Sequence, residues 1–121
     1  MEPRRVLIVD DNLDSANSVA LLLKRAGHDV HVAYDGFKAL ELARRLRPEF
    51  VFLDLGLPGL DGFEVAARLR AEPGMEGMRI IAISGYAQEA DRRRSREAGI
   101  DQHLVKPADP AFLESLLGAR N

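Results

Sequence analysis

Polar side chains stand at the ends of four short apolar runs in this sequence. They are Asp10 and Asp11 after "VLIV", Asp54 after "FVFL", Ser84 after "IIAI" and Lys106 after "HLV". In open parallel sheets, ligands bind beyond the carboxyl ends of the strands, which all lie on one edge. If these runs are parallel strands, three carboxylates, a hydroxyl and an ammonium converge at that edge.

This set of groups favours the transfer of a phosphoryl group. Clustered carboxylates repel one another and would take up protons unless a cation joined them, and hard oxygen ligands suit Mg²⁺. Phosphoryl transfer needs mainly positioning and neutralisation of charge on the transferring oxygens. We expect Asp10 and Asp11 to hold Mg²⁺ and Asp54 to accept the phosphoryl group as an acyl phosphate. Ser84 would donate to one phosphoryl oxygen and Lys106 would pair with another.

The apolar runs alternate with segments that have one apolar face at helical spacing. The runs cover residues 6–10, 30–34, 50–54, 80–84 and 103–106. The helical faces consist of Ala16, Val19, Ala20 and Leu23; Ala39, Leu42, Ala43 and Leu46; Phe63, Ala66 and Ala67; and Phe112, Leu113, Leu116 and Leu117. A weaker segment, 88–98, is expected to pack least firmly. Strands that are apolar throughout belong to a parallel sheet covered on both faces, so an open five-stranded α/β sandwich is predicted.

Composition limits the class of protein. The chain has 121 residues, 46% of them hydrophobic and 30% charged, which predicts a single domain over residues 1–121. No apolar run reads as a signal peptide or a membrane span, so we expect a cytoplasmic protein without membrane contact. A net charge of −2 gives no reason to expect direct nucleic-acid binding. The basic segment 91–96 is interpreted as a solvated helix face, with a docking patch as the alternative.

Taken together, these positions resemble the receiver domain of two-component response regulators. The matching motifs are "DD" at 10–11, Asp54 with the "LGLPGLDG" that follows it, Ser84 after the fourth run and "KP" at 106–107. The resemblance covers essentially the whole chain, and five dispersed polar positions match together with the βα order. It implies a flavodoxin-like fold with strand order 2-1-3-4-5, in a monomer or weak dimer.

The resemblance also implies partners and ligands. Asp54 would receive its phosphoryl group from the phosphohistidine of a histidine kinase or histidine phosphotransfer protein. Asp11 would bind Mg²⁺ directly and Asp10 largely through water, with Asp54 and the backbone carbonyl of Gly56 completing the protein ligands. A cis peptide bond would precede Pro107. Residues 83–110 look most like receivers attached to hybrid histidine kinases. Because only "AFLESLLGARN" follows them, we expect no output domain in this chain, and the sequence leaves open whether the domain acts alone or belongs to a longer protein.

Further positions bear on switching and on the lifetime of the acyl phosphate. In the family, the hydroxyl residue moves toward the phosphate and an aromatic residue three before the lysine swings inward; here that residue is His103. An imidazole buries less area than a tyrosine ring and resists burial when protonated, so we expect a modest response to phosphorylation, weaker at about pH 6 than at about pH 8. Alternatively, His103 stays outside as part of a docking surface. Gly56 and Tyr86 would frame the hydrolytic water, with Tyr86 as the main brake on dephosphorylation.

On the receiver hypothesis, the chain turns over no external substrate. Two other classes of protein are alternatives to it. An Mg²⁺-dependent phosphohydrolase also passes through an aspartyl phosphate, but such enzymes generally carry a second Asp two residues after the nucleophile, where this chain has Gly56. A flavodoxin-like cofactor binder would need hydrogen-bond donors for the flavin phosphate, whereas these strand ends are acidic.

Overall fold

One parallel five-stranded sheet with helices on both faces forms the architecture. The structure, a computed structural model, describes residues 3–57, 59–85 and 89–118. The strands are β1 (Arg5–Val9), β2 (Asp29–Ala33), β3 (Phe50–Asp54), β4 (Arg79–Ser84) and β5 (Gln102–Val105). The helices are α1 (Leu13–Arg25), α2 (Gly36–Leu46), α3 (Gly62–Ala71), α4 (Glu89–Glu97) and α5 (Pro110–Gly118). The strand order β2-β1-β3-β4-β5, with every pair parallel, confirms the predicted fold.

Both faces of the sheet are buried, which explains why the strands are apolar throughout. Successive residues of β3 alternate between two apolar clusters. Val51 and Leu53 pack with residues of α2 and α3 on one face, and Phe50 and Phe52 pack with residues of α1 and α5 on the other. The central strands are thereby held from both sides, and they place the end of β3 at the middle of the carboxyl edge.

A side chain caps the first turn of each of α1, α2 and α3. Asn12 accepts a hydrogen bond from the Ser15 N–H at the start of α1. Asp35 and Asp61 do the same for α2 and α3. Such caps satisfy backbone donors that have no partner within the helix. Because Asn12 caps α1, the side chains of Asp10 and Asp11 are left for the site.

Two of the four polar strand ends differ from the sequence prediction by one residue. Asp54 and Ser84 are the last residues of β3 and β4, whereas β1 ends at Val9 and β5 at Val105, so Asp10 and Lys106 follow their strands. Both still continue the pairing by one hydrogen bond. The N–H of Asp10 donates to the Ala33 carbonyl at 3.1 Å, and the N–H of Lys106 donates to the Ser84 carbonyl at 2.7 Å.

The helical faces follow the predicted spacing with two corrections. Ala67 and Phe112 are exposed, because the buried faces of their helices centre instead on Val65, Ala66 and Leu69 in α3 and on Leu113 and Leu117 in α5. Leu40 adds a buried residue to α2 that the predicted face did not include. Within the ranges described, no helix has the length and apolar character needed to cross a bilayer.

Candidate functional site

Three carboxylates form a cluster at the carboxyl edge of the sheet. One oxygen from each of Asp10, Asp11 and Asp54 lies within 4.8 Å of the others. Asp54 is only 5% exposed, Asp10 is half-buried and Asp11 is exposed, so the cluster runs from the sheet edge to the surface. A cavity of about 280 Å³ opens beside it, with Asp10, Asp54 and Lys106 in its lining. The nearly buried Asp54 is therefore reachable from solvent.

Two donors hold the carboxylate of Asp54. The Nζ of Lys106 donates to Oδ2 at 2.9 Å, and the backbone N–H of Gly56 donates to Oδ1 at 2.8 Å. A side chain at Gly56 would begin 3.3 Å from Oδ1, so a glycine keeps this oxygen accessible. These donors set the orientation of the carboxylate from the residue that follows β5 on one side and from the β3–α3 loop on the other.

The charges in this cluster are unbalanced. Burial raises the pKa of Asp10, the N–H of Asn12 at 2.9 Å opposes that rise, and the charge of Asp54 adds to it. Burial alone would lower the pKa of Lys106, but its hydrogen bond to Asp54 and the surrounding carboxylates outweigh burial and raise it. Three carboxylates face one ammonium, and the excess of hard, anionic oxygens fits a divalent cation such as Mg²⁺ or Ca²⁺.

Ser84 lies in a chain of three polar side chains that connects β4, β5 and α4. Its Oγ is 2.7 Å from Nε2 of His103, and Nδ1 of His103 is 2.9 Å from Oγ of Ser95. The His103 ring is partly buried, and it lines a cavity of about 220 Å³ together with Ser84 and Gly56. Thus the ring is turned toward Ser84 rather than toward solvent.

Sequence reasoning missed Ser95. It is 2% exposed on α4, although it stands inside the most basic segment of the chain. A signal was available, because Ser95 lies three residues before buried Ala98 and so shares its helical face. The neighbouring Arg94 pairs with Asp61 at 3.0 Å and lies over the Phe63 ring at 4.1 Å.

Four of the predicted site residues thus meet, but their chemical roles stay predictions. Asp10, Asp11, Asp54 and Lys106 converge, and Ser84 borders the neighbouring cavity that Gly56 also lines. The peptide bond between Lys106 and Pro107 is cis, as the resemblance implied. Tyr86 lies outside the described residues.

The fold and the site define an α/β domain with a cluster of carboxylates, of a kind that could hold a metal ion, at the carboxyl edge of a parallel sheet. Residues 6–117 match the family model of the response regulator receiver domain. The chain belongs to that family, and it is therefore a receiver domain of the kind found in two-component signalling.

Known proteins of this family resemble the chain in sequence and in structure. The DNA-binding dual master transcriptional regulator RpaA of Synechocystis is 37% identical over 105 residues, which are 87% of this chain and 44% of RpaA. The chain spans about half the length of RpaA and of several other curated relatives that it matches.

Two solved structures extend the comparison. Chemotaxis protein CheY4 of Vibrio cholerae superimposes with a TM-score of 0.90 at 27% identity, over 97% of this chain and 98% of CheY4. A response regulator protein from Burkholderia pseudomallei, with a phosphorylated aspartic acid and a calcium ion, has a TM-score of 0.84 at 30% identity, over 96% of this chain and 71% of that chain. The likeness thus includes a relative that carries both a phosphoryl group and a divalent cation.

Proposed function

We propose that Asp54 is the phosphoacceptor of this receiver domain and that it takes its phosphoryl group, with Mg²⁺, from a phosphohistidine. The observation that carries the proposal is the carboxylate of Asp54, held by Lys106 and Gly56 and clustered with Asp10 and Asp11. The donor would be a histidine kinase or a histidine phosphotransfer protein. The phosphorylated aspartate of the Burkholderia relative supports the same chemistry here.

Each residue of the site would have its own role in the transfer of the phosphoryl group. An oxygen of Asp54 attacks the phosphorus, the bond from phosphorus to the donor's imidazole nitrogen breaks, and the electron pair leaves with that nitrogen. Asp10, Asp11, Asp54 and the Gly56 carbonyl would hold Mg²⁺, which supplies positive charge to the phosphoryl oxygens. Once the acyl phosphate forms, Asp54 has lost the charge that Lys106 paired with, so the ammonium is free to pair with a phosphoryl oxygen.

Ser84 and the residues around the hydrolytic water would control the fate of the acyl phosphate. Ser84 would donate its hydroxyl proton to a phosphoryl oxygen. Gly56 leaves the approach of water open on its side, and from the sequence we expect Tyr86 to shield the other side, so Tyr86→Ala should shorten the life of the acyl phosphate. Mass measured over time after removal of the donor tests this; an unchanged or longer half-life would reject the shielding role.

This chemistry serves a switch rather than turnover of an external substrate. A phosphohydrolase would need an acid to protonate its leaving group, and the side chain two residues after Asp54 is only a hydrogen atom, at Gly56. We expect the receiver to act in the cytoplasm and to contact no nucleic acid itself. Its signalling output, and whether it belongs to a hybrid histidine kinase, depend on the protein that contains or binds it.

The experiment is incubation with acetyl phosphate, with and without Mg²⁺, followed by intact-mass measurement. We expect one labile phosphoryl group that requires Mg²⁺ and is absent in Asp54→Ala. Asp29→Asn is a matched control, because Asp29 lies at the start of β2, on the opposite edge of the sheet. Label that persists in Asp54→Ala would place the acceptor elsewhere, and steady release of phosphate from many donor equivalents would favour the phosphohydrolase.

A further inference from the structure

We propose that His103 and Ser95 are positioning residues for Ser84. Together they direct the hydroxyl proton of Ser84 toward the phosphoryl group. The inference rests on the proposed function, since it presumes that Asp54 is phosphorylated. It assigns a role to Ser95, a buried side chain of α4 that hydrogen-bonds to His103 and lies outside the acidic cluster. The protons available along the three side chains decide which group donates to which.

A serine hydroxyl has one proton to donate, and a neutral imidazole has one N–H and one accepting nitrogen. If Ser84 donates its proton to a phosphoryl oxygen, its 2.7 Å contact with His103 must run from Nε2–H to Oγ. Nδ1 of His103 then has no proton, so the 2.9 Å contact must run from the hydroxyl of Ser95 to Nδ1. Phosphorylation therefore selects one tautomer of His103 and one orientation of the Ser95 hydroxyl.

The position of Ser95 makes this arrangement specific. Because Ser95 is only 2% exposed, water has little access to replace His103 as its hydrogen-bond partner. A buried hydroxyl without a partner would destabilise the folded protein. Ser95 also ties the chain of polar side chains to α4, where the adjacent residue, Arg94, is anchored to Asp61 and Phe63 at the start of α3. The hydroxyl that binds the phosphoryl group is thus connected to a helix fixed at a second point.

The protonation state of His103 sets the pH range of the effect. Burial lowers the pKa of His103, the charge of Arg92 lowers it further, and Asp91 opposes both. Among the residues that the structure describes, the other charged groups around the two cavities that the ring borders are Asp61, Arg94, Arg96 and Asp101. The ring is therefore neutral from neutral pH upward. In acid both nitrogens donate, and Ser95 has to accept instead of donating.

Nitrogen NMR of the imidazoles tests the tautomer directly, because the chain has three histidines, His28, His31 and His103. With Mg²⁺ and beryllofluoride as the phosphoryl mimic, at about pH 8, we expect His103 in the Nε2–H form. In Ser95→Ala this preference should weaken, and Ser95→Thr should restore it because threonine keeps the hydroxyl. The control is Ser115→Ala, which removes a serine hydroxyl from an exposed position of α5.

A kinetic arm measures the consequence for phosphorylation. Loss of one neutral hydrogen bond should lower the rate of reaction with acetyl phosphate about threefold to tenfold in Ser95→Ala. His103→Phe keeps a ring without nitrogens; it should slow the reaction likewise and remove the change in rate between about pH 6 and pH 8 that His103 causes in the wild type. If Ser95→Ala does not fold, the rate measurement on His103→Phe tests the proposal by itself.

The outcomes separate the two proposals. If the mimic leaves His103 in the Nδ1–H form or in the mixture of a free imidazole, the positioning role is wrong even though Asp54 is phosphorylated. Wild-type rates and pH profile in Ser95→Ala and His103→Phe would overturn it equally. A wild-type protein that takes no phosphoryl group at all refutes the proposed function, and the positioning role with it.

Discussion

Replacement of Asp10 by asparagine should stabilise the protein when no divalent cation is present. Two carboxylate oxygens within 4.8 Å of each other repel by at least about 3.5 kcal/mol at an effective dielectric constant of about 20, and unfolding separates them. The substitution also removes the attraction between Asp10 and Lys106, which the raised pKa of Lys106 records. The amide oxygen can still accept from the Asn12 N–H. After these offsets we expect a net gain of about 1 to 2 kcal/mol in the free energy of unfolding.

Urea denaturation in chelator and in saturating Mg²⁺ measures this gain. In Mg²⁺ the wild type should become more stable, because a bound cation stabilises the folded state. Asp10→Asn has lost a ligand for the cation, so the difference in free energy of unfolding between the two proteins should shrink or reverse. Glu76→Gln is the control: it removes one charge from an exposed position outside the cluster and should show no dependence on Mg²⁺. An Asp10→Asn protein that is no more stable than the wild type in chelator would refute repulsion within the cluster, and a gain that is the same in Mg²⁺ would refute a role of Asp10 in holding the cation.

Three further perturbations test the packing and the charges of the site. Burial lowers the pKa of His28 below its ordinary 6.5. The contribution of His28 to stability is therefore complete above about pH 6.5 and is lost as the pH falls through the folded-state pKa. Urea denaturation should show a smaller loss of stability in acid for His28→Gln, but not for His31→Gln. Lys106→Met should slow phosphorylation by acetyl phosphate about 10- to 100-fold, and a wild-type rate would show that Lys106 does not assist transfer. In Gly62→Ala the new Cβ would lie 2.7 Å from the Cα of Leu55, so thermal denaturation should show a loss of about 1 to 3 kcal/mol, and an unchanged melting temperature would mean that the β3–α3 loop yields freely.

Several features of the candidate site are consequences of local sequence pattern. Strands that are apolar throughout require a parallel sheet covered on both faces, and parallel strands bring their carboxyl ends to one edge. That rule alone predicts that Asp10, Asp11, Asp54 and Lys106 meet, and the structure brings them together. It was also predictable that neither Asp10 nor Asp11 caps α1, because Asn12 is a good helix cap at the right position.

Tertiary packing decided which atoms touch. The sequence shows that Gly56 is near Asp54, but only the path of the β3–α3 loop directs its N–H to Oδ1. It also left open whether His103 faces inward or outward. Side-chain periodicity assigns a residue to a face of its own element, whereas contact between elements depends on the distance and rotation at which they pack. His103 reaches Ser84 and Ser95 because β5 pairs in register with β4 while α4 packs against β5, a relation that no single segment encodes.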